Sequence, residues 1–231
     1  MQQTMKYLCE NISGCVLGYT QSDEITLLLI DYKSMAQGAW FGYVKRKVET
    51  ISASMATMAF NKFYTDIVKE RVRKELKGCE TEADKKKVTD YYTKYARKCG
   101  KAMFDSRAWN MPEFEVINGF IWRQNDCVRN SIQSVAQANF SAKQLEHKNQ
   151  KELMDMLMLK KGVNWNDYPI YLKRGTCCVK VPQTYNEGTP DEFTRSKWVI
   201  DKEIPTFTKD RDYIEKQFKN IRTVTNKIDQ K

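Results

Sequence analysis

The clearest hydrophobic pattern in the chain is a pair of short apolar runs near its beginning. The runs cover Cys15–Thr20 and Ile25–Asp31, and the polar tetrad Gln21–Glu24 separates them. Both are rich in β-branched and apolar residues, and the second is too short for a helix of ordinary length. The pattern therefore predicts a β-hairpin with two carboxylates at its turn.

Helical patterns account for most of the remaining chain. The apolar spacing predicts helical turns within the first twelve residues and a long helix from Trp40 to about Leu76. Because further helices and strands alternate, the predicted fold class is α+β. The further helices are predicted at Thr81–Lys98, Glu113–Ser134, Ser141–Leu145, Lys151–Lys160 and about Asp210–Thr223, and the further strands at Met103–Met111 and Thr176–Val181.

Composition narrows the class of protein. The 231 residues are 41% hydrophobic, which is enough to bury a core in one large domain or in one domain with an appendage. The longest apolar run, Ile25–Ile30, is far too short to cross a bilayer, and the first residues do not resemble a signal peptide. Seven cysteines without CxxC spacing indicate reduced thiols, and the adjacent Cys177 and Cys178 should point to opposite faces of a strand. We therefore expect a cytoplasmic protein without a membrane partner.

Basic residues exceed acidic ones by 39 to 29, for a net charge of +10. The excess is concentrated between Lys69 and Lys101, a segment that contains twelve Lys and Arg residues and six Asp and Glu residues. Phosphate contacts from such a surface would give salt-sensitive affinity for nucleic acid. A solvated helical face would show the same pattern, so both interpretations stay open.

Few residues are candidates for chemistry on their own. Asp23 at the hairpin turn is the best candidate for a metal ligand, although turns also favour Asp for local reasons. Asp105 is either a second candidate or the ion-pair partner of Arg107, and Lys47 is placed to reach a phosphate from a helix face. The lone His147 lies in a polar stretch and is expected at the surface. The sequence contains no GxxxxGK[ST] and no GxGxxG motif.

Six short blocks of the sequence carry a resemblance to a known family. They are, in order, YTQSDE (Tyr19–Glu24), ISASMA (Ile51–Ala56), FDSR (Phe104–Arg107), WRQNDCVRNSI (Trp122–Ile132), NWND (Asn164–Asp167) and KRGT (Lys173–Thr176). Together they resemble the tRNA(His) guanylyltransferase family, in particular its "-like protein" branch of 3′-to-5′ nucleotide-adding polymerases. Classical members carry an HINN run where this sequence has Val128–Ser131, and in this respect the sequence is similar to the "-like" branch.

The resemblance implies a fold and a set of site residues. Residues 1–112 would form a ferredoxin-like polymerase palm, incomplete at its N-terminus and carrying a basic helical insertion at about 70–101. Residues 113–231 would form a helical region with a short strand and a basic C-terminal helix. Asp23 and Glu24 would be catalytic, with Asp23 binding the metal. The residues near the nucleotide or the RNA 5′ end would be Ser22, Lys47, Asn130, Asn164 and Lys173.

The resemblance also implies an activity. The chain would add nucleotides to RNA 5′ ends by phosphoryl transfer with two Mg²⁺ ions, using GTP or ATP, in tRNA 5′-end repair or in addition of G to tRNA(His). Family members are commonly tetramers. The alternative is a non-catalytic RNA-binding protein that keeps the palm as a scaffold. A palm-type nucleotide cyclase is disfavoured, because the blocks after Trp122 would have no role in it.

One departure from the family pattern matters for this activity. Family members begin with a strand that bears the other metal-binding carboxylate in an Asp-Gly-Arg motif, followed by a helix. This sequence starts within the corresponding helix, at Met1–Tyr7. We therefore expect an N-terminally truncated form that lacks one metal ligand and is inactive or very weak.

Overall fold

The predicted hairpin is present in the computed structural model, which describes residues 1–32 and 38–219. Helix α1 (Gln2–Asn11) leads into strand β1 (Cys15–Gln21), which pairs antiparallel with β2 (Glu24–Leu29). Strands β3 (Thr176–Tyr185) and β4 (Phe193–Asp201) complete one antiparallel sheet, in the order β2-β1-β3-β4. The predicted α+β class is confirmed.

Seven more helices surround the sheet in the described residues. The helix predicted from Trp40 begins only at Lys45, because Phe41, Gly42 and Tyr43 all have positive φ and break the helical path. The helices are α2 (Lys45–Lys77), α3 (Glu82–Ala96), α4 (Val116–Asn139), α5 (Ala142–Leu145), α6 (Gln150–Lys161), α7 (Ile170–Arg174) and α8 (Asp212–Glu215).

The core lies on both faces of β1, whose seven residues are all buried. On one face Tyr19 and Cys177 pack with Phe120 of α4, and on the other Cys178 packs with Met5 of α1. Adjacent strand residues point to opposite faces, so the prediction for Cys177 and Cys178 is confirmed. All seven cysteines are free thiols.

The strand predicted at Met103–Met111 is wrong. This segment is extended but joins no sheet in the described part of the chain. Its backbone N–H groups bond to side chains of α2 instead. Phe104 N donates to Thr57 Oγ1 over 3.1 Å, and Ala108 N donates to Glu49 Oε1 over 2.9 Å. Every second residue of this extended segment, Phe104, Ser106 and Ala108, is half-buried, so the segment has the side-chain alternation of a strand without being part of a sheet.

The C-terminal part contains more strand than expected. The strand predicted at Thr176–Val181 continues to Tyr185, and β4 was not predicted because Pro, Gly and Asn punctuate the sequence there. The helix predicted at Asp210–Thr223 is limited to α8 among the described residues, and residues 220–223 lie outside them. The chain division at residue 112 stays a prediction, and the sheet joins strands from both sides of it.

None of the helices in the described ranges combines the length and apolar character needed to cross a lipid bilayer.

Candidate active site

The hairpin turn presents Asp23 at one end of the sheet. Gln21 and Glu24 pair across the strands, which leaves Ser22 and Asp23 as a two-residue turn. Ser22 has φ +47°, and a positive φ at the first turn residue is what such tight hairpins require. Asp23 is exposed. The sheet register therefore fixes the position of its carboxylate at the tip of the hairpin.

The neighbouring carboxylate, Glu24, is already engaged. Arg123 Nη1 of α4 donates to Glu24 Oε2 over 3.0 Å, and Gln21 Nε2 donates to the same oxygen over 3.1 Å. The guanidinium of Arg123 also lies over the Trp122 ring, 4.7 Å from its centroid. This contact joins the WRQND block to the hairpin turn. Among the described residues Asp23 has no such partner, so its carboxylate is the one available for a ligand.

The link between α7 and β3 packs directly beneath the hairpin. Gly175 has φ +84°, and a Cβ there would lie 2.6 Å from the backbone oxygen of Thr20 and 2.8 Å from the Tyr19 ring. Tyr19 Oη donates to the carbonyl of Arg174 over 2.7 Å. Only glycine fits this close approach in this conformation. The KRGT block is thus held against β1 at the end of the sheet that carries Asp23.

Lys173 and Asn164 belong to one polar network beside α4. Lys173 Nζ donates to the carbonyl of Asn166 and lies 5.4 Å from the centroid of the Trp165 ring. Trp165 Nε1 donates to Ser131 Oγ over 3.1 Å, and that hydroxyl lies 3.4 Å from the Lys173 carbonyl. Asn164 accepts from Asn166 N over 3.1 Å. Three of the resembling blocks, at Trp122–Ile132, Asn164–Asp167 and Lys173–Thr176, therefore meet here.

Asn130 lies on the exposed surface of α4, one residue before Ser131. Its Nδ2 donates to Asp126 Oδ2 over 3.1 Å, and Asp126 also pairs with Arg129. The amide of Asn130 is therefore oriented by a carboxylate one turn earlier on the same helix. Its role towards a nucleotide stays a prediction.

Lys47 and Asp105 are not joined to this group of residues. Lys47 is exposed on the first turns of α2, and none of its side-chain contacts within the described ranges reaches the hairpin turn. Its role in phosphate binding stays a prediction. Asp105 pairs with Arg107 at 3.4 Å, as the ion-pair interpretation expected. His147 is exposed at the surface, also as expected.

The donor set does not fit two Mg²⁺ ions. Such a site needs carboxylates that bridge both ions. Asp23 is the one available carboxylate at the turn, because Glu24 is held by Arg123 and Gln21. No cluster of three or more His, Cys, Asp or Glu side chains suited to a metal exists among residues 1–32 and 38–219.

Several residues that build the site were not predicted. Gln124 is buried, and its side-chain amide donates to the Pro205 carbonyl over 2.9 Å and accepts from Phe207 N over 2.8 Å. This clamp fixes α4 against the segment that follows β4. Arg123 and Gln124 stand beside each other in the WRQND block. The sequence feature that could have indicated these residues is the run of polar groups in the WRQND block of an otherwise amphipathic helix.

The four-stranded antiparallel sheet, with helices on its faces and an exposed carboxylate at a hairpin turn, places the chain in the class of palm folds. The sequence profile described as tRNA(His) guanylyltransferase matches residues 1–112. A solved bacterial tRNA(His) guanylyltransferase-like protein in complex with ATP is 38% identical, with a TM-score of 0.68, over 93% of this chain and 76% of that one. The chain belongs to the tRNA(His) guanylyltransferase family.

Two further relatives bear on how much of the family this chain represents. A bacterial tRNA(His) guanylyltransferase-like protein in complex with GTP is 35% identical, with a TM-score of 0.63, over 93% of this chain and 74% of that one. An uncharacterised protein of Acanthamoeba polyphaga mimivirus is 25% identical over 183 residues, which is 74% of this chain. The chain spans 57% of the length of that curated relative. The predicted family and the predicted palm fold are confirmed.

Proposed function

We propose that the chain is a nucleotidyltransferase that acts on the 5′ ends of tRNA and adds nucleotides in the 3′-to-5′ direction, in 5′-end repair or in addition of G to tRNA(His). The observation that carries this proposal is the exposed carboxylate of Asp23, which has no ion-pair or hydrogen-bond partner among the described residues and lies at the hairpin turn where Glu24 meets Arg123 and the KRGT link packs on β1. Each of these features lies in a block shared with the family.

The proposed substrates are nucleoside triphosphates. Solved relatives 35–38% identical to this chain are complexes with ATP and with GTP, which supports the same ligand class here. We propose that polar side chains at or near this end of the sheet bind the nucleotide and the RNA 5′ end. The lysine on α2 is also proposed to bind a phosphate. The set is Ser22, Asn130, Asn164 and Lys173, together with Lys47.

The described residues do not supply enough carboxylates for a site with two Mg²⁺ ions. β2 is the outer strand of the sheet, and its far edge has no strand partner among the described residues. A further strand that carries a carboxylate along this edge would stand beside Asp23. We propose that such a strand completes the metal site. With the carboxylates that residues 1–32 and 38–219 supply, we expect nucleotide binding but weak or no nucleotide transfer.

The test has two readouts. The first is binding of ATP and GTP by calorimetry, where Asp23→Ala should weaken Mg²⁺-dependent binding while Asp191→Ala, on the exposed β3–β4 turn, should not. The second is extension of a 5′-truncated, triphosphorylated tRNA with NTP and Mg²⁺. Nucleotide binding with little extension is expected. Robust extension by this chain would disprove the missing-carboxylate argument, and absence of nucleotide binding would disprove the enzyme assignment.

The second candidate is an RNA-binding protein without catalysis. The incomplete donor set at Asp23 is the observation that favours it. This alternative predicts that tRNA binding is present, that it is indifferent to Asp23→Ala, and that ATP and GTP do not bind. The tetrameric assembly expected from the resemblance and the cytoplasmic location expected from the composition stay predictions.

A further inference from the structure

Residues 62–99 form a helical hairpin that stands apart from the core. Helix α2 has 33 residues, which corresponds to a length of about 50 Å. Its first half packs on α1 through Ala56, whereas its second half packs on α3. Within residues 62–99, only Val68 and Tyr92 are fully buried among the large apolar side chains. The rest of this helical hairpin is surface.

The two helices are tied together by few contacts. Tyr92 Oη donates to Glu75 Oε1 over 2.5 Å, and Tyr64 Oη donates to the Tyr95 carbonyl over 3.4 Å. The N-terminus of α3 is capped by Thr81, whose side chain accepts from Asp84 N over 3.1 Å. These contacts define one face of α3 as internal. They leave the opposite face free to present side chains.

One flank of α3, beside the face that packs on α2, carries lysines and an exposed tyrosine in a row. Lys87, Tyr91 and Lys94 follow one another at spacings of four and three residues, which places them on one side of α3, and Lys98 follows in the turn after the helix ends at Ala96. The row, here called the lysine–tyrosine stripe, covers about 10 Å of α3 from Lys87 to Lys94 and continues to Lys98. Tyr91 is 52% exposed.

The charge of this region is not cancelled by its acids. Residues 69–101 carry twelve basic and six acidic side chains, so this segment holds +6 of the net +10 of the chain. Of the acids, Glu75 is bonded to Tyr92, Glu82 pairs with Lys85 at 2.6 Å, and Asp84 pairs with Lys87 at 3.2 Å. The Thr81 hydroxyl and Lys87 lower the pKa of Asp84. Lys87 of the stripe is therefore already paired with an acid, and Asp90 is the further acid next to the stripe in sequence, three positions after Lys87 and four before Lys94.

The aromatic ring of Tyr91 packs beside the rings of Tyr92 and Tyr95 and has one lysine over it. Lys94 Nζ lies 4.6 Å from the centroid of the Tyr91 ring and 5.1 Å from that of Tyr95. A surface that combines lysines with an exposed aromatic ring has the two features by which proteins hold RNA: charge for phosphates and a π-face for an unpaired base. A protein partner would require an apolar contact area that this face does not provide.

We propose that the lysine–tyrosine stripe is a second RNA-binding surface, which holds the sugar–phosphate backbone and one unpaired base away from the Asp23 end of the sheet. The inference rests on the proposed function only in taking RNA as the partner. It adds a surface that the transfer chemistry does not use. Its role is to hold a longer RNA while the 5′ end occupies the site.

The experiment measures tRNA binding by the full chain at 50 to 300 mM salt. The triple variant Lys87→Gln, Lys94→Gln, Lys98→Gln should flatten the slope of log K against log[salt] by about 2 to 3, since each phosphate contact contributes about 0.7 to 0.9. The matched control is Lys143→Gln, Lys151→Gln, Lys160→Gln, which removes the same charge from exposed positions elsewhere. The Lys→Arg triple at the stripe should keep the original slope.

A second variant tests stacking. Tyr91→Ala should bind a single-stranded RNA oligomer about tenfold more weakly, and Tyr91→Phe should bind it normally. Equal slopes for the stripe and control triples would overturn the proposal. The proposal would also be overturned if the stripe triple variant bound RNA as tightly as the original chain but had lost binding to phosphatidylserine vesicles. These readouts are independent of nucleotide binding, so this proposal and the proposed enzyme function can fail separately.

Discussion

The Asp23 end of the sheet and the helical hairpin of residues 62–99 hold their side chains in different ways. At the sheet end, positions are fixed by strand register and by Gly175, which packs so closely that a Cβ would lie 2.6 Å from the backbone oxygen of Thr20. On the helical hairpin, side chains project from a helix that contacts mainly one other helix. Substitutions at the sheet end should therefore act on stability and site geometry together, whereas those on the hairpin should act on binding alone.

The largest effect is expected at Gly175. The backbone at Gly175 has φ +84°, and the Cβ that Gly175→Ala adds would lie 2.6 Å from the backbone oxygen of Thr20. Left-handed strain and overpacking together predict a loss of about 2–5 kcal/mol in the free energy of unfolding. The control is Gly162→Ala, where φ is +63° and no atom lies within 4 Å, so strain alone should cost about 1–2 kcal/mol. Urea unfolding would measure both, and equal losses would contradict the close-approach argument.

The next effect is expected at Gln124. Gln124→Leu keeps the volume but leaves the Pro205 carbonyl and the Phe207 N–H without partners in the core. The expected loss is about 2–4 kcal/mol in urea unfolding. Gln137→Leu, at an exposed position of the same helix, should change stability by less than about 0.5 kcal/mol. A small effect at Gln124 would show that α4 does not depend on this clamp.

A smaller effect should follow from pH. Burial raises the pKa of the Cys127 thiol to about 11, with Tyr19 opposing this shift and Asp126 adding to it. Because the pKa is higher in the folded state, this stabilisation is fully present below about pH 9 and is lost as the pH rises towards 11. The loss should be at most about 3 kcal/mol, since the pKa rises by about two units at about 1.36 kcal/mol each. Cys127→Ala should make the unfolding free energy less steep between pH 9 and 11, and an identical slope would contradict the assignment.

The smallest effect is expected for the ion pair at the turn. Arg123 and Glu24 lie 3.0 Å apart, but both side chains are partly exposed. A double-mutant cycle with Arg123→Ala and Glu24→Gln should give a coupling energy of about 0.2–1 kcal/mol. A coupling energy above about 2 kcal/mol would mean that this ion pair is less accessible to water than the exposed fractions of the two side chains indicate.

The sequence predicted the parts of the fold whose patterns are local. The hairpin, α1 and the capped helices α5 and α6 all follow from periodicity and capping residues within a few positions of each element. The strand predicted at Met103–Met111 was wrong because strand-like composition indicates an extended backbone and does not show which element supplies its hydrogen bonds. In this segment the covering surface is α2, and Thr57 and Glu49 supply the hydrogen bonds that a neighbouring strand would have supplied.

The candidate site was predicted in part for the same reason. Asp23 stands out locally because it interrupts two apolar runs. Its surroundings depend on residues about 100 and 150 positions away, and no local pattern shows that Arg123 meets Glu24 or that Gly175 lies under Thr20. The resemblance supplied the order of these blocks, and the structure supplied their contacts.

The position of β1 in the middle of the sheet has a consequence for biosynthesis. Tyr19 meets the carbonyl of Arg174, which is 155 residues later in the chain. At about 5–20 residues per second, the ribosome takes roughly 8–30 s to deliver that partner after β1 has emerged. During this interval β1 can pair with β2 but not with β3, so its other edge is exposed to other nascent chains. We therefore expect chaperone dependence in the cell, and we expect that a fragment ending at residue 112 aggregates.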